Sequence, residues 1–434
     1  MKSTQADSAL LLDLYLLTMG ESYLAEALAD REATFSLFFR SLPEGWEYTH
    51  AAGLEDALGY LERLSFTDSD LAYLDQTGLF SSAFLDRLRN FRFSGSVRAM
   101  PEGTAVLPGE PLLEVTAPLV EAQLVETMVL NELHLQTLVA GKTARCVAAA
   151  DGRLLVDFSL RRTHGGEAGM KVARASWIAG FDATSNVLAG QRLGIPVAGT
   201  MAHSYVESFQ DERAAFDAYA RVYPDTAILL VDTYDTVQGV HNAIATARDL
   251  AAAGHRLRGV RLDSGDLLEL SGAARALLDE AGFEDAMVFA SGGLDEHEIG
   301  RLVTAGAPVG GFGVGTKLEA SAGAPFLDMA YKLVELDCRP VLKLSEGKAT
   351  LPGRKQVWRH ESYDVLGLAG EPPADEGTAL LVDVMANGER TWHEPLEAAR
   401  ARAAEERDTL RGASREVRID AELEELRARA VGAL

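Results

Sequence analysis

AILLVDTYDTVQGVHNAIATARDLAAAGHRLRGVRLDSGDL, residues 227–267, sets the architecture of this chain. It opens on a short apolar run, Ala227–Asp232, which reads as a strand. A polar turn through Asp232-Thr233-Tyr234-Asp235 leads into a stretch from about Thr236 to Ala253 with helical spacing. A second strand-like run, Leu257–Leu262, ends in another polar turn, Asp263-Ser264-Gly265-Asp266. The strands are largely apolar without alternation, as expected where both faces are covered in a parallel sheet.

The same unit recurs on both sides. Upstream lie the strand-like Leu154–Leu160, helical Met170–Phe181 and Thr184–Leu193, the short strand Ile195–Gly199 and helical Asp211–Val222. Downstream lie helical Leu267–Ala281, the strand Ala286–Ala290, helical Glu296–Ala305 and a sixth strand, Val309–Val314. Six strand-then-helix units predict an α/β fold, either a (β/α) barrel or a doubly wound sheet. Polar and glycine-rich residues follow the strands: Arg161-Arg162, Thr200 to Ser204, Asp232 to Thr236, Asp263 to Asp266, Ser291 to Gly293 and Gly315-Thr316. In a barrel those positions converge on one face, where active sites sit.

The flanks differ. Residues 20–90 read as helix-rich, and 93–119 as turns with short β-like runs. Tyr331–Leu344 and Gln356–Arg359 are again β-like, around the turn-rich Ser345–Lys355. The expected division is a mixed α/β domain from 1–120 with 330–395, an α/β-barrel catalytic domain at 121–329, and a helical segment at 396–434.

With 434 residues, 47% hydrophobic and 24% charged, the chain can bury a large core. Its two cysteines, Cys146 and Cys338, lie far apart and give neither a disulfide framework nor zinc-ligand spacing, which suits a reducing cytoplasm. The apolar stretch Ala9–Met19 is broken by Asp13 and lacks the flanks of a signal peptide. No run approaches the ~20 apolar residues that span a bilayer. A net charge of -24 argues against a nucleic-acid or anionic-membrane surface. It leaves room for a small anionic substrate held by a local cluster of cations and backbone N–H groups.

Several post-strand motifs suit such a substrate. Gly313-Val314-Gly315-Thr316 offers close backbone approach, N–H groups and a hydroxyl for a phosphate, although such a turn is also common as plain structure. Ser291-Gly292-Gly293 on the preceding loop strengthens the phosphate reading. In Arg261-Leu262-Asp263, strand alternation puts Arg261 and Asp263 on one side. The Arg can clamp a carboxylate, and the Asp can hold sugar hydroxyls or a metal ion, or face positive charge at a sugar carbon. The plainer alternative is a salt-bridged helix cap. His203 sits among polar groups after a strand, where acid–base or nucleophilic work is possible. Phe158 with Arg161 suits a flat anionic ring. Asp232 to Thr236 offers oxygens for a metal ion but reads first as a helix cap, and Lys355 with Arg354 as a solvated turn.

Together these motifs resemble the nicotinate phosphoribosyltransferase family. The residues that carry the resemblance are LLDLYLLTM (11–19), DFSLRRTHG (157–165), GFDATSNVLAG (180–190), GIPVAGTMAHSYV (194–206), DTYDT (232–236), GVRLDSGDL (259–267), ASGGLDEHEI (290–299), FGVGTKL (312–318) and LPGRKQVWR (351–359). The resemblance implies an irregular α/β barrel with a second α/β domain from both termini, acting as a homodimer with shared sites. It implies condensation of nicotinate with phosphoribosyl pyrophosphate, coupled to ATP hydrolysis with magnesium, as the entry to NAD salvage. By the same resemblance His203 is the histidine phosphorylated by ATP. Arg261 and Thr200 contact nicotinate. Phe158 and Tyr15 sandwich the pyridine ring, Tyr15 from the other subunit. Asp263 is the sugar-side acid. Gly292, Gly293, Gly315 and Thr316 form the ribose-phosphate pocket, and Arg161 and Lys355 touch nucleotide or pyrophosphate.

Ser185 stands where the nicotinamide-using relative has an acidic residue, and a neutral side chain there favours the acid substrate. The His203 motif counts against the quinolinate-using relative. Nicotinamide phosphoribosyl transfer and a non-catalytic sugar-phosphate-binding barrel are the alternatives. His164 is taken as a surface loop residue.

Overall fold

The computed structural model describes residues 8–370, 377–410 and 415–433. These fall into two compact units: Gly141–Pro325, and the residues up to Ala140 together with those from Phe326 onward.

In the terminal unit, one strand explains why both ends of the chain share a sheet. Glu32–Phe39 pairs antiparallel with Leu113–Pro118 on one side and with Met329–Leu336 on the other. Its sequence, EATFSLFF, is buried at nearly every position. Ala33, Phe35, Leu37 and Phe39 recur at the strand period of two, and the run interrupts the region read as helix-rich. Phe35 stacks on Tyr331 with centroids 4.9 Å apart, and the Tyr331 hydroxyl donates to the Ala122 carbonyl. The full sheet has seven strands and adds Ser96–Ala99, Val382–Ala386 and the two-residue edge strands Arg339–Pro340 and Glu389–Arg390.

A second sheet in this unit corrects the C-terminal reading. Helices Leu396–Leu410 and Ala421–Gly432 form as expected, but Glu416–Ile419 between them is a strand, parallel to Tyr363–Leu368. Hydrogen bonds to an available sheet edge override the helical composition there.

Gly141–Pro325 holds the strand–helix series. Its six strands are parallel, in the order Ala183–Thr184, Leu154–Asp157, Gly311–Val314, Met287–Ala290, Gly259–Leu262, Ile228–Leu230. The C-terminal ends therefore share one edge. Asp235, Asp266 and Asp295 each cap the helix that follows a strand, accepting from backbone N–H groups of its first turn.

Two expectations change. Ile195–Gly199 is not a strand; only a single bridge joins Thr184 to Val197. Pro196 has no N–H to donate, which limits pairing there. In exchange Ala183–Thr184 is a strand, although Thr184 reads as the first residue of a helix. Among the described residues no ladder joins this edge to Ile228–Leu230, so the hydrogen-bonded sheet is open rather than a closed barrel. Among the same residues no helix is long and apolar enough to cross a membrane.

Candidate active site

The strand ends of the Gly141–Pro325 unit border a cleft of about 540 Å³. Phe158, Arg161, Ser185, Thr200, His203, Arg261 and Asp263 all line it. These residues span more than 100 positions of sequence, and the parallel sheet brings them together.

Arg261 forms part of the cleft wall. One guanidinium nitrogen donates to the Met201 carbonyl at 3.0 Å, and its Cζ lies 6.0 Å from the Phe158 ring centre. Its Nε is buried with no hydrogen-bond partner among the described residues. Burial pushes its pKa down, but a guanidinium remains cationic. A desolvated cation with an unused donor beside an aromatic face suits a flat carboxylate.

The Phe158 ring has its place because of a glycine. A Cβ at Gly313 would come within 2.5 Å of that ring. Gly313 thus makes room for Phe158, a packing role distinct from phosphate binding. Next to Phe158 in sequence, Asp157 is buried and accepts from Ser159 N, Ser159 Oγ and Thr184 Oγ1. Burial raises its pKa, while those bonds favour the charged form. The Asp157 carbonyl also accepts from Ser185 N at 2.8 Å. One residue thereby fixes the loops bearing Phe158 and Ser185. The sequence pattern did not single out Asp157, since a strand-end Asp next to Ser is common in ordinary turns.

His203 opens the short helix His203–Glu207. Its Nδ1 lies 3.2 Å from Thr233 Oγ1, and its Nε2 lies 3.8 Å from Asp263 Oδ2. Asp263 Oδ1 accepts from Ser291 Oγ at 2.5 Å, and Asp263 N donates to Asp232 Oδ2 at 3.0 Å. Ser264 Oγ donates to the same Asp232 oxygen at 2.5 Å. Four loops are thus tied around one imidazole and one carboxylate.

Gly292 is required by the backbone. Its φ is +88°, and a Cβ there would lie 1.9 Å from the Asp263 carbonyl oxygen. Gly293 also has positive φ, +66°, but faces open space. Gly315 precedes Thr316, which starts the one-turn helix Thr316–Glu319. Thr200 lies on the cleft with its hydroxyl directed to the Met201 carbonyl at 3.3 Å.

Two expected site residues belong to the terminal unit. Tyr15 lies on the helix Leu14–Ala25 and is 47% exposed. Burial and the neighbouring Glu126 push its phenol pKa up to about 12. Lys355 is not in a solvated turn. It is buried, its Nζ donates to the Gly353 carbonyl at 2.7 Å and lies 3.5 Å from Glu114. Burial lowers its pKa, and Glu114 opposes that shift. His164 is exposed, as a loop residue. Among the described residues no cluster of three or more His, Cys, Asp or Glu side chains could hold a metal ion.

The family model for the nicotinate phosphoribosyltransferase N-terminal domain matches residues 10–134, and the model for the nicotinate phosphoribosyltransferase family matches residues 154–348. The chain is 51% identical over 411 residues to nicotinate phosphoribosyltransferase pncB2 of Mycobacterium tuberculosis, covering 93% of this chain and 87% of that protein. It is 45% identical over 380 residues to nicotinate phosphoribosyltransferase of Bacillus subtilis, covering 84% and 77%. The crystal structure of human nicotinic acid phosphoribosyltransferase matches with TM-score 0.83 and 31% identity, over 96% of this chain and all of that one. That of nicotinate-nucleotide pyrophosphorylase from Pyrococcus furiosus matches with TM-score 0.78 and 25% identity, over 94% and 97%. On the family models, the curated relatives and the shared fold, the chain belongs to the nicotinate phosphoribosyltransferase family.

Proposed function

We propose that this protein joins nicotinate to phosphoribosyl pyrophosphate, giving nicotinate mononucleotide and pyrophosphate, and couples the transfer to ATP hydrolysis. The observation that carries the substrate reading is the desolvated Arg261 beside Phe158. The pyridine ring stacks on Phe158 and its carboxylate meets the guanidinium. The ring nitrogen then attacks the ribose anomeric carbon as the bond to pyrophosphate breaks. Asp263 faces the positive charge that develops on the sugar.

In the coupling half-reaction a His203 nitrogen takes the γ-phosphoryl group, the bond to the bridging oxygen breaks, and ADP leaves. Water later cleaves the phosphohistidine, releasing phosphate and restoring the imidazole. Magnesium would enter as a cation carried on substrate phosphates, and Asp232 or Asp263 would be the carboxylate able to hold it. Asp232 Oδ1 is buried without a hydrogen-bond partner among the described residues, which supports a role of this kind. When bound, the ion neutralises phosphate charge.

Ser185 on the cleft brings no negative charge against the nicotinate carboxylate, which favours the acid over the amide. The quinolinate reaction needs a place for a second carboxylate, and Arg161 is the other Arg on the cleft. Tyr15, exposed on the terminal unit, is the ring a second copy would contribute in a homodimer. The pairing of the first and last strands supports an irregular barrel interrupted between Val197 and Ile228. Two unpaired cysteines suit a cytoplasmic enzyme of NAD salvage. The test is nucleotide formation from nicotinate, nicotinamide and quinolinate in parallel; product from nicotinate is the expected result, and product only from another acceptor contradicts it.

A further inference from the structure

The DTYDT motif divides its labour in a way that a helix cap does not explain. Asp235 caps the helix Thr236–Ala252 by accepting from Gln238 N. Asp232 braces the Asp263 loop through Asp263 N and Ser264 Oγ. Thr233 does neither. Its hydroxyl lies 3.2 Å from His203 Nδ1.

An imidazole needs such a partner. Rotation about χ2 of histidine is broad and close to two-fold, so packing alone poorly separates the two ring orientations. A half-turn exchanges each nitrogen for a carbon. On the opposite edge, Nε2 is 3.8 Å from Asp263 Oδ2, beyond hydrogen-bond distance. Among the described residues the Thr233 contact is therefore the side-chain hydrogen bond that separates the two orientations. Thr233 itself is well placed for this. Its β-branched side chain has restricted χ1, and the neighbouring Asp232 anchors its backbone to the Asp263 loop. A hydroxyl can donate to a bare ring nitrogen or accept from a protonated one, so the contact survives a change of protonation.

We propose that Thr233 is a positioning residue for His203: its hydroxyl fixes the ring orientation in which the imidazole meets the phosphoryl donor. This rests on the reading of His203 as the phosphoryl acceptor. Phosphoryl transfer depends on alignment of the attacking atom with the leaving oxygen, so holding the ring in one orientation bears on its rate.

The test compares the full-length wild type with Thr233→Val and Thr233→Ser. With γ-labelled ATP, acid-labile phosphate on the protein is followed in time, alongside ATP-free nucleotide formation. Thr233→Val is expected to slow the maximal rate of phosphohistidine formation about tenfold, the effect of one lost orienting hydrogen bond. The KM for ATP changes little, and ATP-free transfer loses less than phosphorylation does. Thr233→Ser restores most of the rate. Wild-type phosphorylation by Thr233→Val overturns the proposal. So does a Thr233→Ser defect equal to that of Thr233→Val, or a parallel loss of phosphorylation and ATP-free transfer. If wild type takes up no acid-labile phosphate, or His203→Asn takes up as much, the His203 reading itself fails and the proposal falls with it.

Discussion

The Arg261 guanidinium carbon lies 6.0 Å from the centre of the Phe158 ring, with Nε buried and without a partner among the described residues. A charged donor left in that state gains most from a carboxylate ligand. Arg261→Ala is expected to raise the KM for nicotinate roughly a hundredfold, the value of a charge-assisted hydrogen-bonded pair. Arg261→Lys keeps the charge, loses the planar fork and falls between. Steady-state kinetics with varied nicotinate check this, and an unchanged KM in Arg261→Ala removes the residue from the carboxylate site.

Ser185 tests selectivity. A carboxylate introduced at this cleft position opposes the nicotinate carboxylate but not an amide. Ser185→Asp is expected to raise the KM for nicotinate by about tenfold or more, as like charges brought together cost several kcal/mol. The ratio of kcat/KM for nicotinamide to that for nicotinate rises. A ratio equal to that of wild type places Ser185 outside the acid-versus-amide choice.

The two adjacent glycines are expected to behave differently. Gly293→Ala meets nothing within 4 Å and loses only the cost of a left-handed alanine, about 1–2 kcal/mol. Gly292→Ala adds a Cβ 1.9 Å from the Asp263 carbonyl oxygen, so the loop must shift. Its Tm should fall further, and kcat/KM should fall with it because Asp263 moves. Equal effects of the two substitutions contradict this account.

Much of this was legible in advance, because parallel strands buried on both faces leave continuous apolar runs and Asp caps mark the helices between them. The convergence of Arg261 and Asp263 on one cleft followed from their place at the end of a parallel strand, whereas His203 reaches it after Ile195–Gly199, which forms only a single bridge. Other features depended on partners distant in sequence. Glu416–Ile419 is a strand because Tyr363–Leu368 offers an edge. Gly313 and Gly292 read as phosphate-loop glycines, yet their neighbours are the Phe158 ring and the Asp263 carbonyl. Lys355 stands beside Gly and Pro and looks solvated, but its charge faces Glu114 in the interior.

That interior pair has a stability consequence. Lys355→Met leaves Glu114 buried with one cation fewer. Breaking a buried pair from one side costs about 3–5 kcal/mol. Thermal unfolding should show a clear fall in Tm. No change would mean that Arg98, 3.7 Å from Glu114, alone compensates the carboxylate.

Glu110 gives the terminal unit a pH dependence. Burial, with Asp364 beside it, holds its pKa well above the ordinary carboxylate value. The folded chain therefore keeps a proton that the unfolded chain releases. This stabilisation is complete below the ordinary carboxylate range and is lost as pH rises towards and through the folded pKa. Glu110→Gln keeps the shape without the titration. Its Tm should exceed that of wild type at alkaline pH, and the gap should narrow as pH falls. A lower Tm for the variant at alkaline pH contradicts the reading.

The most direct test of the whole account is a product assay with purified protein, magnesium, phosphoribosyl pyrophosphate and ATP, offered nicotinate, nicotinamide or quinolinate separately. Nicotinate mononucleotide formed from nicotinate, with ADP released alongside, is the predicted result. Nucleotide from nicotinamide or quinolinate but not from nicotinate, or no nucleotide from any of the three, would contradict it.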